Sequence, residues 1–91
     1  MLECRFYVGA DNHTGNPQKE KLVEILNQHF DGYTTLSGNG YWQGSPELST
    51  VVIIHTDKTV AELRAIAELL KIGLNQDCIA MTTIQTDFEL V

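Results

Sequence analysis

Tyr33, Tyr41, Trp42, Glu47, Asn75 and Gln76 are the side chains in this sequence whose types and spacing could serve a small-molecule site. Tyr41-Trp42 lies beside Gly40 and Gly44, so two large rings stand where the backbone can be approached closely, as a flat ligand such as adenine requires. Glu47 follows Pro46 just ahead of an apolar run, a place from which a carboxylate can accept a proton or hold a cationic or hydroxyl group. The corner Asn75-Gln76-Asp77 adds hydrogen-bonding capacity, and His55 closes the apolar run. Each residue also has a plainer role open to it: Trp42 as a core or interface anchor, Glu47 as a solvated turn residue.

Other chemistries find less support. His13, His29 and His55 show neither i, i+4 nor strand i, i+2 spacing, so the reading is no metal site and no cofactor. Cys4 and Cys78 lie near opposite ends with no C-x-x-C spacing, and both are expected to face the core as free thiols. Ser37, Ser45 and Ser49 lack the setting of an activated nucleophile. Six Lys and Arg against twelve Asp and Glu give a net charge of −6, and no basic cluster offsets it, which argues against nucleic acid as a partner. No apolar run approaches the roughly 20 residues that span a bilayer, and Met-Leu-Glu-Cys-Arg does not resemble a leader. A cytoplasmic protein without membrane contact is expected.

The elements that must position the candidate residues follow from periodicity. Residues 2–9 alternate, with Leu2, Cys4, Phe6 and Val8 on one side and Glu3, Arg5 and Tyr7 on the other, a strand with one buried face. Asn16-Pro17 reads as an N-cap and first turn of a helix over 17–30, with Leu22, Val23, Ile25, Leu26 and Phe30 as its stripe and Gly32 beyond its end. Tyr33–Gln43 favours strand, interrupted at Gly38-Asn39-Gly40 by either a bulge or a tight turn, the bulge being preferred with the chain reversing at Gly44–Glu47. Residues 48–56 contain Val51-Val52-Ile53-Ile54 without alternation and are expected to be dry on both faces. Thr59-Val60-Ala61-Glu62 is a capping box opening a helix with Val60, Leu63, Ile66, Ala67, Leu70 and Leu74 on one stripe. Residues 78–83 make a last strand, and 84–91 either continue it or add a short edge strand.

Ninety-one residues in this order form one α+β domain, 1–91, with the ferredoxin-like βαββαβ arrangement: an antiparallel sheet with strands one and three central and two helices on one face. RNA-binding domains of this topology carry aromatics on strand three, and here that strand reads VVIIHT. Two helices cover one face only. If the third strand is apolar on both sides, the bare face calls for a partner, and a second copy of the chain is the simplest one.

The stretch GYTTLSGNGYWQGSPELSTVVII followed by LNQDCIAMTTI resembles two groups. One is a set of uncharacterised bacterial and phage proteins with a G-[YF]-T…G-x-G-x-W…E-x-S pattern and a later Q-[DE], covering about residues 5–83; it implies the fold and no chemistry. The other, a weaker resemblance, is to phage S-adenosylmethionine lyases, with Glu47-Leu48-Ser49-Thr50-Val51 similar to their E-x-T-V strand start and Asn75-Gln76-Asp77-Cys78 to their E-Q-D-C corner. That resemblance implies a trimer with sites between subunits and places Tyr33 near a ligand-facing tyrosine, but Asn75 stands where the family has an acid, which keeps the shape and loses the base.

The reading is therefore a small, phage-type homo-oligomer that sequesters a nucleotide-like or adenosine-containing molecule, in host cytoplasm if phage-encoded and possible as an anti-defence device. Tyr33, Tyr41 and Trp42 would stack and Glu47, Asn75 and Gln76 would make polar contacts. The alternatives are a lyase giving methylthioadenosine and homoserine lactone, with Glu47 and Tyr33 orienting the substrate, and a structural or protein-interaction module.

Overall fold

The computed structural model describes residues 1–91 as β1 (Leu2–Gly9), α1 (Lys19–Asn27), β2 (Thr34–Trp42), β3 (Ser45–Thr56), α2 (Val60–Gly73) and β4 (Ala80–Gln85). The four strands form one sheet in the order β2-β3-β1-β4, and every neighbouring pair is antiparallel. This is the ferredoxin-like arrangement, with β1 and β3 central as expected. Cys4, Phe6 and Val8 of β1 and Val52 and Ile54 of β3 meet Leu22 and Leu26 of α1 and Leu63, Ile66, Ala67 and Leu70 of α2 in one core. Both helices use the same face of the sheet because alternate strand residues point to opposite sides and only one alternating set is predominantly apolar, Thr50 being its buried polar member.

The opposite face carries Glu3, Arg5, Tyr7 and Gly9 of β1 and their register partners His55, Ile53, Val51 and Ser49 of β3. Burial along β3 alternates: Thr50, Val52 and Ile54 are buried, Val51, Ile53 and His55 half-buried. Within the single chain the doubly dry β3 is thus corrected to one buried and one half-buried face, Val51 and Ile53 lying beside Tyr7, Arg5, Leu36 and Thr34 with no helix over them. Residues 86–91 form no further strand. Thr86 N–H still donates to the Met1 carbonyl at 3.1 Å, and the segment then turns onto the helix-free face, where Phe88 stacks on His55 with ring centroids 4.4 Å apart and planes 10° from parallel.

Three boundaries move, each for a local reason. The chain reverses between Trp42 and Ser45, which pair directly, through Gln43 and Gly44 with φ of 50° and 81°. Two central residues with positive φ make the type I′ geometry that matches strand twist. The pairing of β2 with β3 runs without a slip from Thr34↔Ile53 to Trp42↔Ser45, so Gly38-Asn39-Gly40 holds neither bulge nor turn. Helix α1 starts at Lys19 rather than at Pro17, with Gln18 as N-cap. Asn16 cannot cap it because its carbonyl accepts from Asp11 N–H at 2.9 Å inside a closed loop, whose other ties are His13 and Thr14 N–H on the Asp11 carboxylate. At the other end Gln28 and His29 N–H bond to the carbonyls of Ile25 and Leu26, the tighter i to i+3 spacing that finishes a helix.

The capping box on α2 is present in full: Glu62 N–H donates to Thr59 Oγ1 at 3.2 Å and Thr59 N–H to Glu62 Oε1 at 3.1 Å. The bond from Thr59 N–H, with a second from Thr59 Oγ1 to the same carboxylate oxygen at 3.2 Å, holds the Glu62 carboxyl below its ordinary range. Its contribution is present above the ordinary carboxylate pKa and is lost as pH falls through the lowered one. The two cysteines part company. Cys4 is fully buried, and burial pushes its thiol up to about 11, whereas Cys78 is exposed ahead of β4, not in the core.

Two outcomes follow from this architecture. Thr59→Ala is expected to cost about 1 kcal/mol in urea unfolding at pH 7, with the difference from wild type shrinking as the pH falls through the lowered Glu62 pKa. A thiol-alkylating reagent at neutral pH is expected to modify Cys78 and leave Cys4 intact, which peptide mass mapping reads directly; modification of both at equal rates would contradict the buried placement of Cys4.

Candidate functional site at the end of strand β1

Strand β1 stops at Gly9, paired with Ser49, while β2 and β3 continue for four more pairs to Trp42↔Ser45. Past that stop the helix-free face has a hollow of about 290 Å³, near the lower end of the roughly 300–1,000 Å³ typical of small-molecule pockets. Tyr7, Gly9 and Ala80 form its floor, Gly40, Tyr41, Trp42, Glu47 and Ser49 its hairpin wall, and Asn12, Gln76, Asp77 and Cys78 the wall beyond α2.

Gly9 sets the closeness of that packing. A Cβ built there would lie 3.2 Å from Gln76 Oε1 and 3.2 and 3.3 Å from the two Glu47 carboxylate oxygens, tighter than ordinary carbon–oxygen contact. Two acceptor groups from opposite walls thus converge on one bare stretch of backbone. Gln76 is turned this way because its Nε2 donates to the Ala10 carbonyl at 2.9 Å, leaving Oε1 toward Gly9.

The C-terminus of α2 delivers Gln76. Asn75 takes a left-handed φ of 52°, Gln76 N–H donates to the Lys71 carbonyl at 2.9 Å and Asn75 N–H to the Ile72 carbonyl at 3.3 Å. This pair of bonds is the Schellman stop, whose left-handed position asparagine tolerates better than most residues. Gln18 Nε2 adds a bond to the Leu74 carbonyl at 2.7 Å, and Asn12 Nδ2 one to the Asn75 carbonyl at 3.2 Å. Asn75 therefore shapes the corner through its backbone and does not line the hollow.

Four of the six expected site residues, Tyr41, Trp42, Glu47 and Gln76, line this hollow together. Tyr33 does not. It packs against the core and donates its hydroxyl to Asn27 Oδ1 at 2.7 Å, beside a second hollow shared with Ile53, His55, Phe88 and Leu90. Register also brings in Tyr7 and Ser49, and the bond to the Asn75 carbonyl brings in Asn12, none of which was singled out by its own sequence context; the outward position of Tyr7 in the β1 alternation was the available signal.

The electrostatics are one-signed. Glu47 and Asp77 line the hollow, and no Lys, Arg or His does. Such a lining repels phosphate groups and suits hydroxyls or a positive charge held beside aromatic faces. No group of three or more His, Cys, Asp or Glu side chains is arranged to hold a metal ion, and no helix is long and apolar enough to cross a membrane.

No family model matches the chain, and no curated protein matches it. Solved structures do. A DUF3240 family protein from Shewanella baltica OS155 superimposes with a TM-score of 0.66 at 14% identity, covering 99% of this chain and 97% of that one. A phage SAM lyase in its apo state follows with a TM-score of 0.60 at 12% identity over 98% and 92% of the two chains, and CutA from Synechococcus elongatus PCC7942 with 0.51 at 15% over 93% and 76%. At these identities the likeness is one of fold: the chain shares the ferredoxin-like arrangement of small bacterial and phage proteins.

Proposed function

We propose that this chain binds an adenosine-containing or similarly nucleotide-like small molecule in the hollow past Gly9, and that it does so as a small homo-oligomer that sequesters the ligand. The observation that carries the reading is the convergence of Trp42, as a ring surface, with Glu47 and Gln76, as acceptors, on one glycine-floored hollow whose lining also includes Tyr41. A base stacks on the exposed ring of Trp42, and ribose hydroxyls or an amine donate to Glu47 and Gln76. With two carboxylates and no cation in the lining, a neutral nucleoside or a positively charged adenosine derivative is preferred over a polyphosphate. Self-association through the uncovered sheet face belongs to the same reading.

The lyase alternative gains from the same acidic lining, because S-adenosylmethionine carries both a sulfonium and an ammonium. In that reaction the substrate's own carboxylate oxygen bonds to its Cγ as the carbon–sulfur bond breaks, and sulfur keeps the electron pair. Homoserine lactone and methylthioadenosine result without an external base. The role left to Glu47 is holding the ammonium so that the carboxylate can fold back.

Titration with adenosine, S-adenosylmethionine and ATP by calorimetry separates the readings. Adenosine or S-adenosylmethionine is expected to bind and to quench the single tryptophan, with ATP at least tenfold weaker. Trp42→Ala and Gly9→Ala are each expected to weaken binding by tenfold or more while circular dichroism stays unchanged. No binding of any of the three at millimolar concentration, or binding indifferent to both substitutions, would end the proposal. Methylthioadenosine appearing at stoichiometric protein would favour the lyase; unchanged S-adenosylmethionine recovered after denaturation would favour sequestration.

A further inference from the structure

The β2–β3 hairpin outruns the rest of the sheet. Beyond Gly9↔Ser49 the pairs Asn39↔Leu48, Gly40↔Glu47, Tyr41↔Pro46 and Trp42↔Ser45 have no third strand beside them, and the molecule is 39 Å long against 24 and 23 Å across. A two-stranded ribbon without packing on either face is at best marginally stable in water. Yet this one ends in large apolar groups: Tyr41 is 74% exposed, Trp42 64% and Leu48 47%, with Leu36 at 53% on the same outer strand. The outer edge of β2 also lacks the usual protection of edge strands, having no charge, no proline and no bulge.

Charge says what can cover it. From Gly32 to Pro46 there is no Asp, Glu, Lys, Arg or His, a gap of fifteen residues in a chain that is 20% charged with a net charge of −6. Two copies of an acidic chain repel wherever their ordinary surfaces approach. This strip is where they can touch without that cost. A basic partner would be drawn to the acidic remainder of the surface instead. Tyr41 and Trp42, at about 150–250 Å² each when fully covered, would supply a large part of the ~800 Å² that each side of a standard interface contributes.

We infer that the arm formed by residues 36–48 is the contact through which a second copy of this chain is held, centred on Tyr41 and Leu48, with the edge of Trp42 at its margin. The inference rests on the self-association in the reading above and moves its centre from the middle of the open face to the arm. Because Gly40, Trp42 and Glu47 also wall the hollow, the contact and the ligand site share one element, and covering the arm fixes the hollow's outer wall.

Sedimentation equilibrium of the full chain tests this. The wild type is expected at a multiple of 10.2 kDa in the micromolar range, and its Trp42 emission is expected to shift to longer wavelength on dilution through the same range. A Leu36→Lys/Asn39→Lys double variant is expected at the monomer mass with an unchanged circular dichroism spectrum. Mixing it with Leu36→Glu/Asn39→Glu is expected to restore the larger mass, which also shows that both variants are folded. A wild type that stays monomeric at millimolar concentration, a double variant that assembles as tightly as wild type, or a monomer holding a different protein on the arm would each overturn the inference. A monomer that still binds adenosine would overturn this contact and leave the ligand reading standing; an assembled chain that binds none of the three ligands would do the reverse.

Discussion

The length difference between β1 and its neighbour β3 governs this molecule. Eight residues of β1 pair with the second part of a twelve-residue β3, so the sheet is three or four strands wide along β1 and only two strands wide beyond Gly9. At the wide end, two helices and a turned-in tail satisfy the apolar side chains. The narrow end has Gly9 where a larger residue would separate Glu47 from Gln76. The hollow exists because a central strand ends early and ends on glycine.

Helix α2 ties that end to the core. Leu63, Leu70 and Leu74 are completely buried, which fixes where the helix stops, and the Schellman bonds of Asn75 and Gln76 turn the chain directly over the exit of β1. The site's geometry therefore inherits its rigidity from hydrophobic packing on the far face of the sheet. Loss of a buried leucine here would loosen Gln76 as well as the fold. The hairpin wall has no such support, which is why the same structural logic that builds the hollow leaves one side of it wanting a neighbour.

Much of the fold was legible in the sequence because its signals were local. The alternation of residues 2–9, the Thr59–Glu62 box and the helical stripe from Leu63 through Leu74 each read correctly from spacing alone, while Val60 at the head of that stripe is exposed. What misled was punctuation with two meanings. Gly38-Asn39-Gly40 carries a strong turn signal yet pairs regularly within β2, while the reversal uses Gln43-Gly44, a less conspicuous pair. Pro46 reads as a turn residue but sits in β3 after the β1 neighbour has gone, the edge setting in which a strand tolerates proline. Asn16-Pro17 mimics a helix start because the hydrogen bonds that close the preceding loop are invisible in composition. The site was half legible for the same reason. Tyr41, Trp42 and Glu47 announced themselves by type, but Gly9, Tyr7 and Ser49 become partners only through register, and Asn75 turned out to act at its backbone.

The proposed ligand recognition belongs to the narrow end of the sheet. Amide chemical-shift mapping of the isotope-labelled chain during titration with adenosine tests it most directly. Shifts concentrated at Gly9, Gly40, Ser49 and Gln76, with Thr34, His55 and Phe88 at the opposite end unmoved, are the predicted result. Shifts gathered around His55 and Phe88, or spread evenly over the surface without saturation, would contradict it.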